Sequence, residues 1–456
     1  MRQWLQAGTA KVDITPPLTI PYLGYEPRHA LFEGVHDPLY ARAVALDDGT
    51  TQVVIISADA IGYSNELLGP ERNFTAEVRQ RIQVCTGVPA AHIMLATTHA
   101  HSTPETIHLR RLLDTPAAAP WLEVLMDQLA SAACMAFAQR KPSTVKIGIG
   151  EVSALSHNRR VVGKDGQIVY GAERTPELIQ AKSGAIDQTV GILLLESVDQ
   201  SARTVLVNFA CHPVTVQVQP LISADFPGPA MKFVETSVPC CTNSLFLQGA
   251  CADINPIRDT TDFADVERYG LMLGGEVIKL AMQLSAPDYP QSTTQLAVQA
   301  ATVLLPVRDL PPREPAQQAY ADASTQLATA TTEDERKAWR AKQRIAEETL
   351  ILIDRGADPI SAEVQVVRIG DIALVALPGE PFVELGLEIK RRSKADHTFV
   401  IGYANDWLGY FATPQAWQQG GYEVAPGPWT RVGPAGGSLL VEKAIELINQ
   451  LWTSVD

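Results

Sequence analysis

Histidine, cysteine and aromatic residues are all scarce in this chain of 456 residues, and so is positive charge. There are nine His, six Cys and only 6% Phe, Trp and Tyr. No two cysteines form a CxxC pair; Cys85, Cys134, Cys211 and Cys251 stand apart, and Cys240 and Cys241 are adjacent. That is not a disulfide framework, so reduced thiols are expected, with Cys134 as core in an apolar helical run. Lys and Arg number 37 against 51 Asp and Glu, an acidic excess of 14. This balance argues against a nucleic-acid partner. No apolar run reaches transmembrane length, and Met1-Arg2-Gln3-Trp4-Leu5 lacks the apolar stretch of a secretion signal. A cytoplasmic location is therefore expected, and the sequon Asn73-Phe74-Thr75 is expected to carry no sugar. No internal repeat or low-complexity tail is visible. The remaining composition, 46% hydrophobic and 19% charged, is that of a globular enzyme longer than one ordinary core.

Periodicity places the elements. Strands are predicted at Ala10 to Ile14, Thr51 to Ser57, Ile93 to Ala96, Val190 to Leu195, Thr204 to Phe209 and Ser244 to Gln248. Helices are predicted from Thr75 to before Gly87, over 119–140 with Leu122, Leu125, Met126 and Leu129 on one face, and over 262–285. Residues 313–353 read as an inserted helical hairpin with a capping box at Thr332-Glu333-Asp334-Glu335. A strand pair turns at Gly370-Asp371, a helix follows Pro381, a strand spans His397 to Tyr403, and a last helix covers 438–451. Both connection types occur, so a mixed-sheet α/β or α+β architecture is expected, as a single large domain over residues 1–456.

His99, His212, Asp253, Glu380 and Tyr410 each follow an apolar strand-like run, where sites in such sheets gather. In Thr98-His99-Ala100-His101-Ser102, an extended backbone would point both imidazoles to one side. The pair is either two surface histidines at a turn or a metal and proton-transfer site. His212 in Ala210-Cys211-His212-Pro213 reads more readily as a hydrogen-bonded strand end than as a ligand. Glu380 in Pro378-Gly379-Glu380-Pro381 is a helix cap or a site carboxylate. Asn158-Arg159-Arg160 reads as a solvated turn, and Gln248 to Pro256 as a Gly/Ala turn allowing close backbone approach. The roles of Asp225 and Asp253 stay open.

Taken together and in order, TTHAHS, NRR, NFACHPVTV, LISADFPG, FLQGACADINP, LPGE and GYANDWLGYFATP…GGYE resemble the neutral (non-lysosomal) ceramidase family. The opening AGTAKVDITPP…GYEPRHALFEGVHDPLYARAVAL does too, so the resemblance runs from about residue 6 to about residue 435. It implies a ceramidase-like catalytic domain and an amidohydrolase with one catalytic Zn2+ per chain. It implies that His99, His212, Glu380 and Tyr410 hold the zinc, with Tyr410 alternatively an oxyanion donor. His101, Arg159 and Tyr422 then serve the reaction, His101 as general base and acid beside a zinc-bound water whose pKa falls to about 7. His36, Asn158, Gly249 and Trp407 are the expected substrate contacts.

Three departures shape the expected substrate. Gly249 stands where the family pattern FAQSNxGDVSPN has Ser. The family's C-terminal immunoglobulin-like domain is not expected here, and neither is a secretion signal. The expected function is therefore zinc-dependent hydrolysis of a small N-acyl or cyclic amide other than ceramide. The alternatives are an esterase or lactonase, or an inactive binding protein retaining the fold. The expected partner is a small amide or acyl molecule, with a homo-oligomer left open.

Overall fold

Strands that are apolar on both faces must be covered on both faces, and this chain has many. In Gln52–Ala58, Val54, Ile56 and Ala58 face one core while Val53 and Ile55 face another. Thr189–Ser197 divides in the same way, with Val190, Ile192 and Leu194 on one side and Leu193 and Leu195 on the other. In the computed structural model, which describes residues 4–22, 30–107, 109, 112–169, 179–217, 219–257 and 262–452, this alternation produces four layers. Residues 23–29 of the opening segment lie outside them.

The larger sheet contains β1 (Leu5–Asp13), β2 (Tyr40–Asp47), β3 (Gln52–Ala58), β4 (Ile93–Thr97), β5 (Lys141–Glu151), β6 (Thr189–Ser197), β7 (Arg203–Phe209) and β8 (Cys241–Gln248). Its spatial order is β8-β7-β6-β5-β1-β2-β3-β4. The smaller sheet runs β9 (Leu296–Leu305), β10 (Ile360–Ile369), β11 (Ile372–Ala376) and β12 (His397–Ile401). One face of each sheet meets the other through Leu193, Leu206, Leu247, Leu374, Phe399 and their neighbours. On the outer faces lie α1 (Phe74–Thr86), α2 (Ala118–Ala138), α3 (Pro227–Ser237) and α4 (Phe263–Leu284) on one side. The other side is covered by α7 (Val383–Arg392) and α9 (Gly436–Trp452). The expected hairpin is α5 (Arg313–Thr329) and α6 (Glu333–Asp354), with the capping box formed by Thr332 and Glu335. The short α8 is Pro414–Gln419.

A repeat invisible in the sequence is plain in the topology. β1 to β4, β5 to β8 and β9 to β12 each consist of three antiparallel strands, a crossover helix (α1, α3 or α7) and a fourth strand parallel to the third. A second helix (α2, α4 or α9) then lies on the first two strands of its own unit. Hydrophobic patterning tolerates any apolar residue at a core position, so three such units can share a plan without sharing words. The consequence for function is positional: three pairs of parallel strands present their exit loops for chemistry.

One expectation fails. Cys85 on α1 and Cys134 on α2 are paired as a disulfide, with Cα atoms 6.2 Å apart, because the two helices pack side by side. The all-reduced expectation is thus wrong for this pair, and Cys134 is half-buried rather than core. Cys211, Cys240, Cys241 and Cys251 stand outside any disulfide. No helix among the described residues is long and apolar enough to cross a membrane.

Between the sheets Phe399 lies on Gly191; a Cβ at Gly191 would stand 2.3 Å from the Phe399 ring. Phe399→Ala would leave a cavity between the sheets and should lower the unfolding free energy by about 3–5 kcal/mol, read from urea denaturation followed by fluorescence.

Candidate active site

β4 ends at Thr97, and His99 lies beyond it in the left-handed region at φ 64°. The imidazoles of His99 and His101 therefore do not converge by strand alternation, as the sequence suggested. The backbone turns out of the strand and swings them together, so that their Nε2 atoms are 3.1 Å apart. β7 ends at Phe209, and three residues later His212 brings its Nε2 to 3.1 Å from that of His99. Gln248, wholly buried at the end of β8, ties the two loops together. Its Nε2 donates to Thr98 O (3.0 Å) and Cys211 O (2.9 Å), the carbonyls just before His99 and His212.

The other face of each ring decides its chemistry. His99 Nδ1 faces Ile61 O at 2.5 Å, and His212 Nδ1 faces Cys251 O at 2.6 Å. A carbonyl only accepts, so each Nδ1 carries the proton and each neutral ring presents a bare Nε2 lone pair inward. Burial pushes the His99 imidazole down to about 3, against the pull of Glu380, so it stays neutral. Glu380 supplies a carboxylate to the same point: Oε2 is 3.6 Å from His99 Nε2 and 3.4 Å from His212 Nε2. The cap of α7 falls on Phe382 instead, so Glu380 is not the helix cap, and its carboxylate faces the two imidazoles. His99, His101 and His212 form a group able to hold a metal ion.

Two residues that hold Glu380 complete this part of the site. Trp407 Nε1 donates to Glu380 Oε1 at 3.0 Å, so the indole expected to touch substrate is buried and aims the carboxylate. On its far side Trp407 walls a polar cavity of about 460 Å3 that also exposes Ile107, Asp406, Arg79 and Arg355 and includes none of the imidazoles. Tyr403, which the sequence reading passed over, stacks on His99 with ring centroids 3.9 Å apart and reaches Glu380 Oε2 at 3.5 Å and Cys251 Sγ at 3.2 Å. It occupies the place after β12 that His99 occupies after β4, also with positive φ (55°). Its only sequence signal was its place at the end of the predicted strand His397 to Tyr403.

A second cluster stands beside the first. The short strands Ser156–Asn158 and Ile254–Pro256 pair, which turns the expected solvated turn into a buried segment. Asn158, Arg159 and Arg160 are 2%, 7% and 5% exposed. Arg159 donates to Tyr410 Oη at 3.3 Å, and Tyr410 Oη lies 3.5 Å from Tyr422 Oη. Glu380 and Tyr410 are partners in a two-residue parallel bridge, which sets the clusters side by side. Among the described residues the Tyr410 hydroxyl meets Arg159 and Tyr422. Burial and the Glu380 charge hold this phenol well above its ordinary value.

The remaining expected contacts lie elsewhere. Asn158 donates to Asp253 Oδ2 (2.7 Å) and Ala185 O (2.9 Å), a brace rather than a free amide. Asp253 in turn accepts from Val383 N at 2.8 Å, at the start of α7. Asp225 accepts from Val216 N and Phe226 N. Burial pushes both acids up to about 6, and both tie turns together. His36 pairs with Asp37 and stacks on Phe263. Gly249 is there for closeness: a Cβ would stand 2.7 Å from the Ala210 Cβ. Gln248→Leu keeps the volume but strips Thr98 O and Cys211 O of their donor. The expected loss is about 2–4 kcal/mol of unfolding free energy in chemical denaturation.

The chain matches known proteins. The family model for the N-terminal part of neutral/alkaline non-lysosomal ceramidases matches residues 5–251. The neutral ceramidase of Pseudomonas aeruginosa is 21% identical over 97% of this chain and 72% of its own length. The crystal structure of neutral ceramidase from the same organism has a TM-score of 0.73 at 20% identity, covering 99% of this chain and 75% of that one. A ceramidase complexed with C2 gives 0.71 at 18% identity, with the same coverage. At such identities the structures attest the shared fold, and the family model adds the kinship: the chain belongs to the neutral/alkaline non-lysosomal ceramidase family.

Proposed function

We propose that this protein is a zinc-dependent hydrolase that cleaves the amide bond of a small N-acyl or cyclic amide. One observation carries the reading. His99 and His212 both commit Nδ1–H to a backbone carbonyl, so two neutral lone pairs confront each other at 3.1 Å with the Glu380 carboxylate beside them. Three electron-rich groups aimed at one point repel unless a cation sits between them, and two imidazoles with a carboxylate are a donor set that zinc favours. His99, His212 and Glu380 would hold the ion. Zinc in such a site polarises a carbonyl and makes water acidic near pH 7, with a pKa of about 7.

The chain's own groups do the rest. His101 is half-buried where His99 and His212 are buried, and its Nε2 reaches the same point. It takes a proton from the attacking water and returns one to the departing nitrogen. Arg159, with Tyr422 on the exposed side, supplies donors to the carbonyl oxygen as negative charge develops there. Tyr410 links the two through its hydroxyl. Tyr403 and Trp407 keep Glu380 in place.

Ceramide is not the substrate we favour. The close approach of Gly249 to Ala210 leaves no room for the hydroxyl side chain of the resembled pattern, so one polar contact to a substrate is missing. A parallel panel of N-acyl amides, cyclic amides, esters and lactones separates amide from ester cleavage by turnover ratio.

Chelation followed by dialysis should abolish turnover of the best amide, and about one equivalent of zinc per chain should restore it, read by mass spectrometry and activity together. Full activity in metal-free protein would refute the reading. Trp407→Phe, which removes the donor to Glu380 Oε1, should weaken zinc binding about 10- to 100-fold in a competition assay with a chromophoric chelator.

A further inference from the structure

We infer that Glu423 is a positioning residue for this reaction, a buried carboxylate that aims Arg159 at the reacting carbonyl; the inference rests on the role given to Arg159 above. The Glu423 side chain is wholly buried, and it lies between two guanidinium groups. Its Oε1 accepts from Arg159 Nε at 3.2 Å and its Oε2 from Arg160 at 2.7 Å.

The two arginines are not equivalent. Arg160 also donates to Gly420 O (2.8 Å) and Ala416 O (3.3 Å), so it is fastened to the backbone in and after α8. Arg160 and Glu423 together form a fixed post. Arg159 turns the other way: beyond Glu423 it donates to Asn255 Oδ1 and Tyr410 Oη, both at 3.3 Å, and its Cζ lies 5.1 Å from the Tyr422 ring centroid. A bond at Nε fixes the plane of a guanidinium and with it the directions open to its terminal nitrogens. Here one of them reaches the Tyr410 hydroxyl and the other Asn255 Oδ1.

Charge makes the carboxylate indispensable. Two buried guanidinium groups side by side would repel, and each needs a counter-charge in a dry setting. One Glu423 serves both, accepting from Arg159 on one oxygen and from Arg160 on the other. Glu423 directly follows Tyr422 in the chain, so a single short segment delivers the exposed phenol and the post behind the arginine.

The test is a double-mutant cycle on the zinc-loaded enzyme with its best amide, using Glu423→Gln, Arg159→Met and the two combined. If Glu423 acts through Arg159, Glu423→Gln lowers kcat about 10- to 100-fold with KM within about twofold, and the double variant is no slower than Arg159→Met alone. Glu423→Asp, which keeps the charge but shortens its reach, recovers part of the loss and replaces Glu423→Gln if that variant does not fold. Zinc content stays as in the wild type. A crystal structure of the Glu423 variant gives a readout free of activity, with Arg159 out of hydrogen-bond reach of Tyr410. Losses that multiply in the double variant, or a Glu423→Gln enzyme within twofold of wild-type kcat while Arg159→Met is crippled, overturn the inference. A wild type that cleaves no amide, or an Arg159→Met enzyme at full speed, instead refutes the function from which it starts. In that case an unmoved Arg159 in the variant crystal still overturns the positioning claim by itself.

Discussion

Two hydrogen bonds to backbone carbonyls set the chemistry of this protein. Ile61 O and Cys251 O each take the Nδ1 proton of a buried imidazole, and with it the choice of tautomer. Once that choice is made, His99 and His212 can only present lone pairs to the space between them, and everything around that space reads as support. Gln248 holds the carbonyls that precede the two histidines, Trp407 and Tyr403 hold the carboxylate opposite, and burial keeps His99 neutral. Neutral imidazoles in a dry pocket are stable as metal ligands and unstable as facing neighbours, which is why we read the cluster as a metal site.

The fold supplies these groups by repetition. Each of the three units ends its third and fourth strands in parallel, and the loops that leave them carry the site. His212 and Glu380 follow the third strands of the second and third units, and His99 and Tyr403 follow the fourth strands of the first and third. The two sheets pack face to face through a largely apolar layer that the buried Asn208 Nδ2–Val400 O bond crosses, so the relative placement of these loops is as rigid as that layer. The second cluster depends on a different device, the pairing of the Asn158 and Ile254 strands, which buries arginines that would otherwise be solvated.

Much of this could be read from residues. Helix and strand positions followed from periodicity, from the Thr332 capping box and from the Gly87 stop, since these are local properties of a chain. The candidates His99, His101, His212, Glu380, Arg159, Tyr410 and Tyr422 came from motif order, and the structure places them in two adjoining clusters. What could not be read was anything set by a distant partner. Tyr403 and Gln248 are ordinary strand-end residues until their contacts are known. Trp407 was expected to touch substrate, yet its N–H is spent on Glu380. The Cys85–Cys134 pair joins cysteines 49 residues apart, a proximity that only helix packing creates.

The sequence by itself determined which elements form, which faces of them are apolar and which residue types collect after strands, because propensity and patterning act over a few residues. Tertiary structure decided the rest: that three units share one plan, that His99 leaves its strand in a left-handed turn, and that two carbonyls far apart in the chain select the tautomers. Hydrogen bonds and close approaches between remote segments have no local signature, so they exist only once the sheets have packed.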